Sequence, residues 1–254
     1  MGVYDPVKQT YTNVSRPILL DAGGGVDYGS LSWTDDPAAE QRCLFVSWLR
    51  LTEASPPDCG TQGQLTLIRD LRYDPRLDTL VHSPIVEYQR LRSERPLFDD
   101  STLRLPAGAP AIKLFAPSAR GGATGISMDV EFNVSVPSAL GAASATLSVR
   151  CESLPQCEGG ANLTLSIGAL KPDGRRDVVL DVRYKYHFTV RFVMLSGEVS
   201  VPLRVLSDTR SLEVFVANGR GAASVTMLST GGAVAAAASG SDLTVAASAW
   251  QLGL

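Results

Sequence analysis

Hydrophobic and polar residues alternate along most of this chain with a period of two. The clearest run extends from Gly125 to Pro137, where six apolar side chains alternate with polar ones. A second run, from Val182 to Phe192, alternates in the same way. A period of two places apolar side chains on one face of a β-strand and polar side chains on the other. Each run therefore predicts one long strand with one buried face and one solvated face.

Shorter alternating runs fill the rest of the C-terminal part, and turn-forming residues separate them. The runs span 146–151, 162–167, 199–205, 212–216, 223–228 and 243–247. Asn218-Gly219 is a strong hairpin signal, because both residue types tolerate the positive φ of a tight turn. Several short strands between turns predict a β-sandwich, which we expect to occupy residues 97–254.

The alanine-rich run 229–248 is ambiguous by composition. Alanine favours helix, but the glycines at Gly231, Gly232 and Gly240 favour turns between short strands. We therefore expect strands in this run.

The first hundred residues have a different character. Short strands are predicted at 42–49 and 64–71, between acidic and proline-rich loops. Residues 85–94 have a weak helical pattern that ends at Pro96. We expect a first β-rich unit at 1–80, and a linker at 81–96.

Composition excludes several classes of function. The 254 residues carry a formal net charge of -3, which indicates neither a nucleic-acid partner nor an anionic membrane surface. The sequence has no run of about 18 apolar residues, so no membrane span is expected. The N-terminus lacks the charged and apolar regions of a signal peptide, and the compartment stays open.

The four cysteines do not form a metal-binding pattern. Cys43, Cys59, Cys151 and Cys157 include no C-x-x-C pair, and the chain has only two histidines. No metal or cofactor is therefore expected. Cys151 and Cys157 flank a five-residue loop, which is compatible with a disulfide or with two free thiols.

Three sequons for N-glycosylation occur, at Asn13, Asn133 and Asn162. Sequons arise often by chance, but several near predicted strand ends favour a protein of the secretory or vacuolar route.

The segment from Leu203 to Met227 resembles a known family. It contains a leucine–arginine pair, an aspartate turn, an S-x-E-V-F strand and a glycine turn; the matching residues are Leu203, Arg204, Asp208, Ser211, Glu213, Val214, Phe215, Gly219 and Arg220. This arrangement resembles the C-terminal sandwich of glycoside hydrolase family 32, whose members cleave fructans and sucrose. As a strand residue of a supporting sandwich, Glu213 is expected to face outward or to bond within the sheet.

Other stretches resemble the same family in the same order. They are Asp27-Tyr28-Gly29, Ser32–Asp35, Arg42–Trp48, Gly63–Leu71 and the linker residues Pro84 to Arg92. The resemblance implies an all-β fold. Residues 1–80 would form the end of the fourth blade and the fifth blade of a five-bladed β-propeller. After the linker, residues 97–254 would form an antiparallel sandwich of the galectin-like jelly-roll type.

The resemblance also implies an activity for the full-length protein. Family members of the β-fructofuranosidase, exo-inulinase and levanase types release terminal fructose from sucrose, inulin or levan. A retaining mechanism needs two carboxylates about 5–5.5 Å apart on one sugar. The family's W-M-N-D-P-N-like and E-C motifs, which supply them, are absent from this sequence. No catalytic residue is therefore expected here, and the chain alone is expected to be inactive.

Asp27, Tyr28 and Trp48 are the candidate substrate-binding residues. The resemblance implies that Asp27 and Tyr28 lie near the rim of the sugar pocket, where a carboxylate bonds hydroxyls and a ring stacks. The alternative is that the tryptophans pack between blades and Asp27 fixes a turn. The family's F-Y-A step is missing after Gly29, because Ser30 and Leu31 stand there.

Two other classes of function remain open. One is a non-catalytic sandwich that acts as a lectin-like carbohydrate-binding or subunit-interaction module, with a second copy or the missing propeller part as partner. The other is an unrelated β-sandwich adhesion domain, which the alternation alone would allow.

Overall fold

The computed structural model describes residues 2–13, 20–23, 28–33, 42–50, 63–117, 126–137 and 139–253. In the N-terminal part, β1 and β2 form a hairpin, and β3, β4, β6 and β7 form a sheet in that order, with β5 paired to β4. The strands are β1 Gly2–Asp5, β2 Thr10–Asn13, β3 Tyr28–Trp33, β4 Cys43–Arg50, β5 Gly63–Leu65, β6 Arg69–Asp74 and β7 Thr79–Pro84. A four-stranded antiparallel meander is the form of one propeller blade.

A short 3-10 helix, Val86–Leu91, leads from β7 into the second part of the chain. The weak helical pattern at 85–94 is explained by it, because Ile85, Tyr88 and Leu91 recur at a spacing of three. Side chains three residues apart lie on one face of a 3-10 helix.

The C-terminal part is a sandwich of two six-stranded antiparallel sheets. Its strands are β8 Phe98–Leu105, β9 Ile112–Phe115, β10 Met128–Ser135, β11 Ala143–Cys151, β12 Ala161–Ile167, β13 Arg176–Arg183, β14 His187–Met194, β15 Ser200–Ser207, β16 Ser211–Val216, β17 Gly221–Thr226, β18 Ala233–Ser239 and β19 Leu243–Gln251. One sheet has the order β17-β16-β15-β10-β19-β8 and the other β14-β13-β12-β11-β18-β9. The all-β class and the expected sheet-plus-sandwich architecture are confirmed.

Strand β10 lies in the middle of the first sheet and confirms the long run at 125–137. It pairs with β15 on one side and β19 on the other, so that Phe132 stands opposite Leu203 and Ala247. Its alternate apolar residues are buried in the core between the sheets, while Asn133 on the opposite face is exposed. The period of two therefore identified the buried face of this strand correctly, but the opposite face is only partly solvated, because Asp129 on it is fully buried.

The prediction of one strand from Val182 to Phe192 is wrong. The chain turns at residues 184–186, and β13 pairs with β14 so that Val182 stands opposite Phe188 and Leu180 opposite Val190. The loop has three residues, an odd number, so even-numbered residues face the core on both strands. The alternation therefore continues through the turn and hides it.

The alanine-rich run forms strands, as its glycines indicated. Strands β18 and β19 occupy most of it, with Gly240 at φ +81° in the turn between them. Small side chains let these strands pack closely inside the sandwich, where Ala235, Ala236 and Ala247 are buried. Within the described part of the chain, the structure contains no helix with the length and apolar character that a bilayer crossing requires.

Candidate functional site

Two of the three predicted sugar-contact residues are neighbours in the N-terminal sheet. Tyr28 on β3 stands opposite Trp48 on β4, and Trp48 stands opposite Leu65 on β5. The Trp48 side chain is 38% exposed. Its indole lies over Gly63, where an added Cβ would fall 1.8 Å from the indole Nε1. Asp27 lies outside the described residues, as do the adjacent carboxylates Asp35 and Asp36.

The remaining predicted residues lie in the sandwich or at a strand end. Cys151 and Cys157 form a disulfide, with an S–S distance of 2.04 Å. Asn133 is exposed on β10 and Asn162 is half-buried on β12, whereas Asn13 ends β2. In the described part of the chain, no cluster of His, Cys, Asp and Glu could hold a metal ion.

A buried charge cluster joins the N-terminal sheet to the sandwich, and sequence reasoning missed it. Arg69 on β6 is fully buried, and its Nη2 lies 2.9 Å from Asp21 Oδ2 and 2.7 Å from Glu213 Oε2. The same nitrogen donates to Ser224 Oγ at 2.5 Å. The expectation that Glu213 faces outward is correct only relative to the sandwich core, because its side chain is buried against β6 rather than solvated.

Backbone donors complete the cluster. Leu67 N donates to Glu213 Oε1 at 2.6 Å, while Gly23 N and Ser224 N each donate to Asp21 Oδ1 at 2.8 Å. The donation from Leu67 also explains why the predicted strand 64–71 is interrupted at residues 66–68. A backbone N–H that bonds a side chain cannot also bond a neighbouring strand.

The two carboxylates respond differently to burial. Burial by itself would raise the pKa of Asp21, but the Arg69 guanidinium and the hydrogen bonds from Ser224 and Gly23 hold that pKa below its usual value. Complete burial raises the pKa of Glu213 above its usual value, against the opposite effect of Arg69. One cation faces two carboxylates, so the site carries an excess negative charge, and a raised pKa on one carboxylate reduces that excess.

This carboxylate pair is not arranged for glycoside hydrolysis. Asp21 and Glu213 are 3% and 1% exposed, and both bond the same guanidinium nitrogen. A glycosidase pair must face a sugar from two sides with room between the carboxylates. The cluster therefore fixes the N-terminal sheet on the sandwich and leaves no space for a substrate.

The linker is held at three points. Arg42 Nη1 donates to Glu87 Oε1 at 2.8 Å, and Tyr88 Oη accepts from Ile68 N at 2.9 Å. Arg92 Nε donates to the buried Asp129 at 2.8 Å, and its guanidinium lies 3.9 Å from the centre of the Trp250 ring. Each contact joins the 3-10 helix region to a different element, so the linker follows a fixed path.

An open cleft of about 380 Å³ lies at the junction. Ser83 and Pro84 at the end of β7 form one wall, and Glu131 and Asn133 on β10 form part of the opposite wall. Arg204 also lines it and donates to Asp129 at 2.7 Å, which orients its guanidinium. The cleft thus combines an apolar wall with amide, carboxylate and guanidinium groups.

Comparisons with known proteins identify the fold. No protein-family model matches this sequence. No curated protein matches it either. Among solved structures, fructan 1-exohydrolase IIa from Cichorium intybus matches 99% of this chain and 53% of its own, with a TM-score of 0.77 and 16% identity. Exo-inulinase from Aspergillus awamori matches 99% of this chain and 49% of its own, with a TM-score of 0.70 and 15% identity.

A glycoside hydrolase family 32 β-fructofuranosidase from Bombyx mori is also similar, with a TM-score of 0.60 and 20% identity over 99% of this chain and 46% of its own. At these identities the likeness establishes a shared fold. The chain spans about half the length of these solved structures. Its fold is thus that of one part of the fructan- and sucrose-hydrolysing enzymes.

Proposed function

We propose that this chain forms the C-terminal part of a β-fructofuranosidase-type glycosidase that hydrolyses sucrose or a fructan. The observation that carries the proposal is the match of 99% of the chain to about half of a fructan exohydrolase. The order of the family-like motifs from Asp27 to Met227 supports the same assignment independently. Solved neighbours of this fold hold 1-kestose and sucrose, which makes a fructosyl sugar the substrate class to test.

In this proposal the chain supports catalysis without performing it. Its sequence lacks the two carboxylate motifs of the family, and the Asp21–Glu213 pair is buried on Arg69. Asp99 and Asp100 are an adjacent carboxylate pair, and both are engaged in hydrogen bonds within the sandwich. Asp99 accepts from Ser248 Oγ at 2.6 Å, and Asp100 accepts from Thr102 N at 2.8 Å. In the proposed full-length protein, other propeller blades supply the nucleophile and the acid/base.

The proposed division of the chain is close to that of its sheets, although β7 extends to Pro84, inside the expected linker. Residues 1–80 contribute propeller strands, and residues 97–254 form the supporting sandwich. Residues 81–96 connect these two parts. The three contacts of the linker and the Arg69 cluster support this division, because they attach the propeller strands to the sandwich at a fixed angle.

Asp27, Tyr28 and Trp48 are proposed to contact the sugar from the rim of the completed pocket. The exposed indole of Trp48 beside Tyr28 supports this role, since an aromatic face packs well against the C–H face of a sugar ring. The same geometry fits the alternative function, a non-catalytic carbohydrate-binding module.

The test measures release of fructose and binding of sugar separately. The purified chain is incubated with sucrose, inulin and levan, and we expect no fructose above the blank. Binding of 1-kestose is then measured by calorimetry for the wild type, Trp48→Ala and the control Tyr73→Ala, whose ring is exposed on β6. Fructose release that is lost on mutation of this chain would overturn the non-catalytic role.

A further inference from the structure

A second concave site lies on the sandwich and uses residues to which the proposed glycosidase role assigns nothing. Its volume is about 440 Å³. Three segments border it: the disulfide-closed loop after β11, the hairpin loop between β13 and β14, and the segment after β17. Its polar lining consists of Glu152, Asn162, Arg183, Tyr184, Lys185 and Ser229.

The walls of this sandwich pocket are connected to one another. The Cys151–Cys157 disulfide closes the first loop, and Glu152 N donates to Glu158 O at 2.8 Å across it. Glu152 lies against Gly159, where an added Cβ would fall 2.5 Å from the carboxyl carbon. Tyr184 Oη accepts from Leu228 N at 3.3 Å, which links the second wall to the third. These contacts therefore fix the shape of the pocket.

Hydrogen-bond donors are grouped on the sheet side of the pocket. Asn162 Oδ1 accepts from Ser148 Oγ at 2.6 Å, which sets the orientation of the amide and leaves its two N–H donors for other acceptors. Asn162 stands directly opposite Arg183 in the β12–β13 register. An amide and an exposed guanidinium thus lie side by side on adjacent strands.

The charge of the pocket is positive. Arg183 and Lys185 lie at its rim, against the single carboxylate of Glu152. Behind it, Arg150 is fully buried and donates to carbonyl oxygens, to Gly231 O at 3.0 Å, to Asp208 O at 2.5 Å and to Ser229 O.

No carboxylate within the described ranges forms an ion pair with Arg150. The Asp208 carboxylate attracts this guanidinium from beyond ion-pair distance, and a buried charge is poorly screened by solvent. Because Ser229 both accepts from Arg150 and lines the pocket, this third positive charge lies directly behind the pocket wall.

We propose that the sandwich pocket binds a sugar carrying an oxyanion, such as a phosphate, sulfate or carboxylate group. The oxyanion bonds Arg183 and Lys185, whose charges exceed that of Glu152, and the sugar ring lies against Tyr184 and the Asn162 amide. Guanidinium groups match the planar acceptor edges of these anions. The inference is independent of the glycosidase proposal, because it uses sandwich residues alone.

Calorimetric titration of the full chain tests this proposal with four probes: fructose 6-phosphate, glucuronate, inorganic phosphate and sucrose. We expect fructose 6-phosphate or glucuronate to bind more tightly than sucrose, with an affinity that falls as salt increases. Arg183→Gln should weaken binding about tenfold, since a charge-assisted hydrogen bond is lost. The matched control is Arg191→Gln, which removes an exposed arginine from neighbouring β14 and should leave affinity unchanged.

The probes also separate the parts of the proposal. Comparison of fructose 6-phosphate with glucuronate identifies the preferred anion, and either preference supports the site. Inorganic phosphate that binds as tightly as the sugar phosphate would overturn the role of the sugar ring. Sucrose binding of equal strength, or equal losses in the two arginine variants, would overturn the anion site. Circular dichroism of each variant verifies that the fold is intact.

Discussion

Arg69 Nη2 lies 2.7 Å from Glu213 Oε2, although 144 residues separate the two positions along the chain. Arg69 belongs to the N-terminal sheet and Glu213 to the edge region of the sandwich, and both are buried where the two parts meet. Asp21 bonds the same guanidinium nitrogen at 2.9 Å. The contact makes the relative position of sheet and sandwich depend on a charge network as well as on apolar packing.

Breaking this network should destabilise the protein strongly. Glu213→Ala removes one of two carboxylates, so Arg69 keeps Asp21, and we expect a loss of about 3 kcal/mol in unfolding free energy. Arg69→Met should lower the unfolding free energy further, because it leaves two buried carboxylates without their cation. Urea unfolding measures both. The control Lys171→Ala breaks an exposed ion pair with Asp177, and a comparable loss there would contradict the importance of burial.

Stability should fall in acid. The Arg220 hydrogen bond holds the pKa of Glu198 below its usual value. A carboxylate with a lowered pKa stabilises the folded state at pH values above its ordinary pKa. This contribution is lost as the pH falls from that ordinary pKa through the lower pKa of the folded state. We therefore expect unfolding free energy to decrease from about pH 5 to about pH 3, and Glu198→Gln to reduce the slope. Parallel curves for variant and wild type would contradict this assignment.

The turn at Asn218-Gly219 should be intolerant of a side chain. Gly219 has φ +86°, and an added Cβ would lie 2.3 Å from the carbonyl oxygen of His82 on β7. Gly219→Ala therefore combines backbone strain with a clash, and we expect a loss above about 2 kcal/mol. Gly197→Ala is the matched control, since Gly197 has φ +83° with open space around it. That variant should lose only about 1 kcal/mol, and equal losses would contradict a clash at Gly219.

The Cys151–Cys157 disulfide should stabilise the sandwich and shape the pocket beside it. The cysteines are six residues apart, and closing so short a loop is worth about 2 kcal/mol by chain entropy. Cys157→Ser should lower the thermal midpoint and weaken fructose 6-phosphate binding, because the released loop forms one wall of the pocket. Cys43→Ser, at a free cysteine of the N-terminal sheet, should change neither. Unchanged binding in Cys157→Ser would separate the loop from the pocket.

Much of the fold could be predicted from alternation alone. The run at 125–137 identified β10 and its buried face, and Asn218-Gly219 marked a real turn between β16 and β17. The same signal failed at 182–192, since a three-residue loop keeps the parity of the alternation and cannot be distinguished from a continuous strand. The alternation shows which residues of a strand face the core, but it does not show where the chain reverses direction.

The candidate site was predicted only in part. The sequence placed Tyr28 and Trp48 in two successive family-like stretches, and the register of β3 and β4 brings them opposite each other. The role of Glu213 was missed, because its partners Arg69 and Asp21 are distant in the chain and no local spacing links them. Arg69 lies in the family-like stretch Gly63–Leu71, and that resemblance was the one available signal.

The sequence by itself determined the strands, the turns and the family-like order of motifs, because these depend on neighbouring residues and on the alternation of side chains. Only the tertiary structure decided that Glu213 is buried, that Arg69 joins two parts of the molecule, and that Arg183 and Asn162 border one pocket. Those facts depend on which distant strands become neighbours, since burial and charge pairing are properties of the packed chain.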